Sequence, residues 1–321
     1  MDSMDTDTAQ EHDTPARRET RRPFVIAGAA VLVIGTAALS ALVADPTAGE
    51  LTAGAAILLG LVEGITEWLP ISSTGHLTVT QDLLGIQGDA ADSYAIAIQA
   101  GAILAVLGLY RDRFVTMLRG LRGRDPDGRR LVGAIVIACL PAVAVGLTFE
   151  DMIKDRLFGP WPVVIAWFVG GLAILLVARR RRDLAPDAGA PLRVLDWRGA
   201  LLIGFAQTLA LWPGVSRSLV TILAATAVGL AVPAAVEFSF LLGFVILGGA
   251  TFYETLSSGG EMVAAYGVVT PLLGLAVAFI SAMVAMRWMV DYLNRRGLGV
   301  FGWYRIAVAI VVTGLLVAGV I

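Results

Sequence analysis

Long uninterrupted apolar runs constrain this chain more than any motif does. A hydrocarbon layer about 30 Å thick takes about 20 helical residues to cross. Seven stretches have that character: 24–44, 93–110, 131–149, 160–178, 236–253, 266–286 and 303–321. Two more apolar stretches are interrupted. Pro70 and then Ser72-Ser73-Thr74-Gly75 break 51–80, and Pro213-Gly214 with Ser216-Arg217-Ser218 breaks 199–232. Charged residues make up 16% of the chain, against about 25% in soluble domains, which excludes an ordinary soluble enzyme. A formal net charge of −2 offers no basic face for nucleic acid. The single cysteine, Cys139, sits inside an apolar run, so no disulfide framework exists. The chain is expected to be an all-α, polytopic membrane protein.

The basic residues set its path. Seven arginines fall in 111–130, six in 179–198, and further ones in the N-terminal tail and 287–302, whereas 81–92 and 254–262 contain no Lys or Arg. Cytoplasmic loops carry the excess of Lys and Arg, which places the first group inside and the second outside. The stretch 51–80 must then start and end outside, and 199–232 must start and end inside. Each is expected to dip into the bilayer and return, from opposite faces. A broken hairpin plus three spans (51–178) is thus followed by a second, upside-down copy (199–321). Weak internal similarity agrees: Gly60 and Gly204, Glu63 and Gln207, and Trp68 and Trp212 share one offset. Inverted repeats with broken helices place a site near the bilayer midplane. Residues 1–22 read as a disordered cytoplasmic tail. Residues 23–45, preceded by Arg21-Arg22, read as an extra transmembrane helix or uncleaved signal.

Few titratable groups lie in the broken hairpins: Glu63, Glu67 and His76 in the first, Arg217 in the second. Ionisable groups at membrane depth mark functional sites by default. Glu63 and Glu67 lie one helical turn apart on one face and need a cation, an arginine or a proton to coexist. Ser72, Ser73, Thr74 and His76 gather hydroxyls and an imidazole within five residues. A hydroxyl beside a base is the minimum for nucleophilic attack, and a histidine can also attack phosphorus or protonate a leaving group. Pro213-Gly214 opens a new helix start, Ser216 and Ser218 add hydroxyls, and Arg217 offers a planar fork for phosphate oxygens. The plain alternatives are a structural Glu–Arg pair and a kinked helix with a snorkelling arginine. Together the residues suggest phosphoryl chemistry on a lipid-borne substrate.

LVEGITEWLPISSTGHL (61–77) and ALWPGVSRSLVT (210–221) resemble the two signatures of the undecaprenyl-diphosphate phosphatases of the bacitracin-resistance type. Weaker matches follow at 98–113, 237–242 and 304–306; Leu219 and Val245 depart from the family pattern. The resemblance implies hydrolysis of a polyprenyl diphosphate to the monophosphate and phosphate, recycling the lipid carrier of cell-wall synthesis at the plasma membrane, with the site facing out. It implies a divalent cation, Mg²⁺ or Ca²⁺, with Glu63 and Glu67 metal-associated or acid/base groups. It makes Ser73 or His76 the nucleophile, with Ser72 assisting. Thr74, Ser216, Arg217, Ser218 and Thr221 would bind substrate. The expected partners are the polyprenyl lipid, the bilayer and a second copy of the chain. An inverted repeat with two opposed hairpins is also a transporter design, so a polyprenyl-phosphate flippase is the alternative.

Overall fold

The computed structural model describes residues 51–180 and 187–321. The tail 1–22 and the span 23–45 lie outside the described residues. The described chain consists of helices and short connections, with one isolated parallel bridge between Ala190 and Leu230 and no strand. Eleven α-helices follow in order. They are α1 (Ala53–Thr66), α2 (Ser73–Leu84), α3 (Asp89–Leu109), α4 (Arg111–Leu121), α5 (Pro126–Leu157), α6 (Pro160–Arg180), α7 (Trp197–Gln207), α8 (Arg217–Ala227), α9 (Val232–Tyr266), α10 (Val269–Arg296) and α11 (Gly299–Val317).

Six of them, α3, α5, α6, α9, α10 and α11, are long and apolar enough to cross a membrane. They correspond to the six uninterrupted runs after residue 50, and the protein is a multi-pass membrane protein. Their outer faces carry unpartnered apolar side chains such as Leu147, Leu172 and Ile280, as lipid-facing surfaces require.

Several segments expected as loops are helical. α9 is 35 residues long, roughly 50 Å at 1.5 Å per residue, and takes in 254–262. α10 runs through Arg296, and α5 continues past a kink at Phe149 to Leu157. Polar residues mark where water begins, but a helix satisfies its backbone equally well in water, so it has no reason to stop there. The arginine-rich stretch 111–130 likewise contains α4.

The two interrupted stretches become pairs of short helices, α1–α2 and α7–α8, and the pairs keep a common register. Ala53 starts α1 and Trp197 starts α7, at the offset separating Gly60 from Gly204; Ser73 starts α2 and Arg217 starts α8 at that same offset. Thr52 and Asp196, the residues before α1 and α7, each accept a hydrogen bond from the backbone N–H three residues on and so satisfy an otherwise orphaned donor. Packing is reciprocal as well. α1 lies on α10, and α7 lies on α5. Gly60 abuts the Gly274 backbone and Gly204 the Ala138 backbone so closely that a methyl group would overlap a carbonyl at either position.

The largest core cluster fills the space between these pairs. It joins Trp68 with Phe238, Phe240, Ile222, Ile203 and Met286, all buried. Trp68 also anchors the first break, its indole N–H donating to the Ala102 carbonyl at 2.9 Å, and the equivalent Trp212 donates to the Pro162 carbonyl at 3.2 Å.

Candidate active site

Each break ends in the same unusual residue. Ser72 and Ser216 immediately precede α2 and α8, and both hold φ at 74°. Non-glycine residues with positive φ cost about 1–3 kcal/mol and persist only where surroundings over-determine them. The turn they create reverses the chain sharply enough to start a new helix beside the old one. At the second break the Ser216 hydroxyl accepts from Leu219 N at 3.2 Å and pairs with Ser218 Oγ at 3.0 Å. The Ser72 side chain makes no such cap.

The breaks meet. Ser218 Oγ of the second donates to the Leu69 carbonyl of the first at 2.9 Å. Arg217 Nη2 contacts Glu67 Oε1 at 3.0 Å, with both side chains nearly buried. The other Glu67 oxygen accepts a short hydrogen bond from the Ser73 hydroxyl. Arg217 Nη1 donates to the Ser239 carbonyl at 2.9 Å, and the guanidinium lies 4.6 Å from the centre of the Trp68 ring, within cation–π range. Ser73, Glu67 and Arg217 therefore form one continuous chain of contacts, and its two ends come from different halves of the molecule.

This chain borders a cavity of about 100 Å³ lined by Glu67, Ser72, Ser73, Thr74, Gln99, Ala210, Trp212, Pro213, Gly214, Ser216, Arg217 and Leu247. Six of the expected site residues are on its wall: Glu67, Ser72, Ser73, Thr74, Ser216 and Arg217. The other four stand behind it. Thr221 is fully buried, with its hydroxyl on Ser239 Oγ at 2.6 Å and the Arg217 carbonyl at 2.8 Å. Ser218 braces the first break. Glu63 is fully buried and neither of its oxygens has a partner among the described residues. Gln207, its counterpart in the second half, is likewise buried without partners for either polar atom.

His76 is engaged away from Ser73. Its Nδ1 lies 2.6 Å from the Ser72 carbonyl and its Nε2 2.8 Å from the Tyr304 hydroxyl. A carbonyl only accepts, so Nδ1 carries the proton, and in the neutral ring Nε2 then accepts from Tyr304. The serine–histidine pairing considered from the sequence does not occur in this structure; the carboxylate on Ser73 is Glu67.

Four residues at or around the site were given no role from the sequence, although Gln99, Tyr304 and Arg305 fall within the weaker matches at 98–113 and 304–306. Gln99 lines the cavity, with its side-chain oxygen accepting from the Thr251 hydroxyl at 3.0 Å. Trp167 donates its indole N–H to the Ile71 carbonyl at 2.7 Å. Tyr304 reaches His76. Arg305 lies inside the expected span 303–321 and was given no role there. It is fully buried and bonds only backbone carbonyls. The available signal was its place inside an apolar run.

The fold and site together define a polytopic membrane protein with a polar cleft where two broken helical segments meet. The model of the bacitracin resistance protein BacA matches residues 56–311, and the chain belongs to that family. An undecaprenyl-diphosphatase of Sorangium cellulosum is 48% identical over 265 residues, covering 81% of this chain and 85% of the relative. Undecaprenyl-diphosphatase 2 of Rhodospirillum rubrum is 44% identical over 276 residues, covering 83% and 96%.

Proposed function

We propose that this protein hydrolyses a polyprenyl diphosphate, undecaprenyl diphosphate by the names of its relatives, to the monophosphate and inorganic phosphate, and so returns a carrier lipid to cell-wall synthesis. The observation that carries this reading is the Ser73–Glu67–Arg217 chain on the wall of a cleft inside the apolar helices. A hydroxyl with a carboxylate already accepting its proton is an activated nucleophile, and a guanidinium fork suits phosphate oxygens.

Ser73 Oγ attacks the terminal phosphorus as its proton passes to Glu67. The bond from phosphorus to the bridging oxygen breaks, and the polyprenyl monophosphate leaves. Water then hydrolyses the phosphoserine, releasing phosphate and restoring Ser73. The incoming phosphate competes with Glu67 for Arg217, whose Nε has no partner among the described residues. Charge developing on the transferred group is stabilised by Arg217, Ser216 and the backbone N–H groups at the start of α2 and α8. Thr251 takes up the oxygen end of the Gln99 amide, which supports the NH₂ end as a further donor to the cleft. The prenyl chain stays among apolar helix faces and lipid.

The carboxylates fit a divalent cation such as Mg²⁺, which often uses one or two protein carboxylates and takes further ligands from substrate phosphates. The two unpartnered oxygens of Glu63, one turn from Glu67, are what supports this. A bound cation would neutralise diphosphate charge. The equal register and reciprocal packing of α1–α2 and α7–α8 support two inverted repeats, 51–178 and 199–321, with hairpins entering from opposite faces. The lack of Lys and Arg in 81–92, into which α2 runs, supports a cleft open to the outer face. The relatives are named for a hydrolase activity, which favours this reading over a flippase.

Purified protein should release inorganic phosphate from undecaprenyl diphosphate in a chelator-sensitive manner, and Ser73→Ala should not. Wild-type turnover by Ser73→Ala would remove the nucleophile from this scheme. Lipid transfer without phosphate release would replace the hydrolase with a transporter.

A further inference from the structure

Four consecutive carbonyls in the first break, at Leu69, Pro70, Ile71 and Ser72, are each held by a side chain from a different helix. Ser218 of α8 donates to Leu69 at 2.9 Å, Arg305 of α11 to Pro70 at 3.3 Å, Trp167 of α6 to Ile71 at 2.7 Å, and His76 of α2 lies 2.6 Å from Ser72. A chain leaving a helix normally gives such carbonyls to water or to the next turn. Here every one has a side-chain donor.

Arg305 extends this grip to the second break. Its Nη2 donates to the Gly214 carbonyl at 2.8 Å and to the Ala166 carbonyl at 2.8 Å, and its Nε to the Trp167 carbonyl at 3.3 Å. Pro70 and Gly214 stand at the offset that relates Ser72 to Ser216. One guanidinium therefore ties equivalent points of the two breaks to each other and to α6. Room for it is reserved, because any side chain at Gly170 would overlap the guanidinium.

We propose that Arg305 is a positioning residue for the reaction, with Trp167 as its partner in the task. The inference rests on the phosphatase reading for its catalytic consequence. An anion in the cleft is repelled by carbonyl oxygens and attracted by N–H groups and hydroxyls. By occupying the carbonyls of both breaks, Arg305 and Trp167 keep them from turning into the cleft, and keep Ser73 and Arg217 at a fixed separation. A lysine cannot replace Arg305, because an ammonium lacks the planar fork that spans the breaks.

The test compares purified Arg305→Lys and Trp167→Phe with wild type by steady-state kinetics, thermal unfolding in detergent and hydrogen–deuterium exchange. Loss of positioning by about an ångström costs on the order of 100-fold in rate. Arg305→Lys is expected to lose about that much kcat with KM changed only a few-fold. Peptides from both breaks should exchange faster together. Trp167→Phe, which removes one donor and keeps an aromatic ring, should lose about 10-fold in kcat, the scale of one hydrogen bond, and loosen the first break more than the second. If Arg305→Lys does not fold, Trp167→Phe decides. Variants that melt earlier but keep wild-type kcat per folded molecule, or leave exchange in the breaks unchanged, overturn the proposal. A wild type that releases no phosphate overturns the phosphatase reading instead, while exchange still judges Arg305.

Discussion

The two breaks share a backbone and divide the chemistry. Both follow a short helix and a tryptophan whose indole is anchored on a carbonyl, both turn at a serine with φ of 74°, and both start a new helix one residue later. At equivalent positions their side chains diverge. Ser73 faces Arg217 in the alignment, Glu67 faces Leu211, Glu63 faces Gln207 and His76 faces Val220. One half supplies the hydroxyl and its carboxylate, and the other supplies the cation. Two matching turns give two helix starts that converge on one cleft, and differences at a few positions make the pair asymmetric.

This division can be broken most severely at the helix starts. Ser73→Ala should reduce phosphate release about 10⁴-fold or more, the scale of losing a nucleophile, while leaving the fold intact. Arg217→Ala should reduce it about 10²–10³-fold, the scale of losing an oxyanion donor. It should also lower the melting temperature, since removing one member of a buried ion pair costs about 3–5 kcal/mol. A cycle with Glu67→Gln would show the two effects to be coupled; additive losses would mean that the contact across the halves has no energetic role.

The shared scaffold predicts equal rather than unequal losses. Gly60→Ala and Gly204→Ala should each destabilise by about 1–3 kcal/mol, the usual cost of overpacking, because each glycine lies against a backbone. Thermal unfolding of the pair checks this, and a large difference would show the packing to be less reciprocal than it looks. The smallest effect separates the two strained serines. Ser72→Gly should stabilise by about 1 kcal/mol through relief of positive φ. Ser216→Gly should gain less, because it also loses the cap to Leu219 N, worth about a few tenths of a kcal/mol against glycine, and the hydrogen bond to Ser218 Oγ, worth about 1 kcal/mol.

Much of this was legible in the sequence. Runs of about 20 apolar residues dictate helices wherever backbone groups must be satisfied without water, so six described spans could be read from composition. The breaks were legible because proline, glycine and serine clusters interrupt those runs. The helical extensions at 150–157 and 254–266 were not, since charge reports the water boundary and says nothing of where hydrogen bonding ends. His76 was legible as a polar residue in a critical place, but its partners, Ser72 and Tyr304, were not.

The sequence alone determined the membrane class, the two broken segments and the identities of the polar groups, because these follow from local composition and from the period of the chain. Tertiary structure decided which groups meet. The Arg217–Glu67 contact, the Ser73 hydroxyl on Glu67 rather than His76, and the insertion of Arg305 between both breaks join residues far apart in the chain. Such contacts depend on how helices from the two halves pack, and no local pattern encodes that distance.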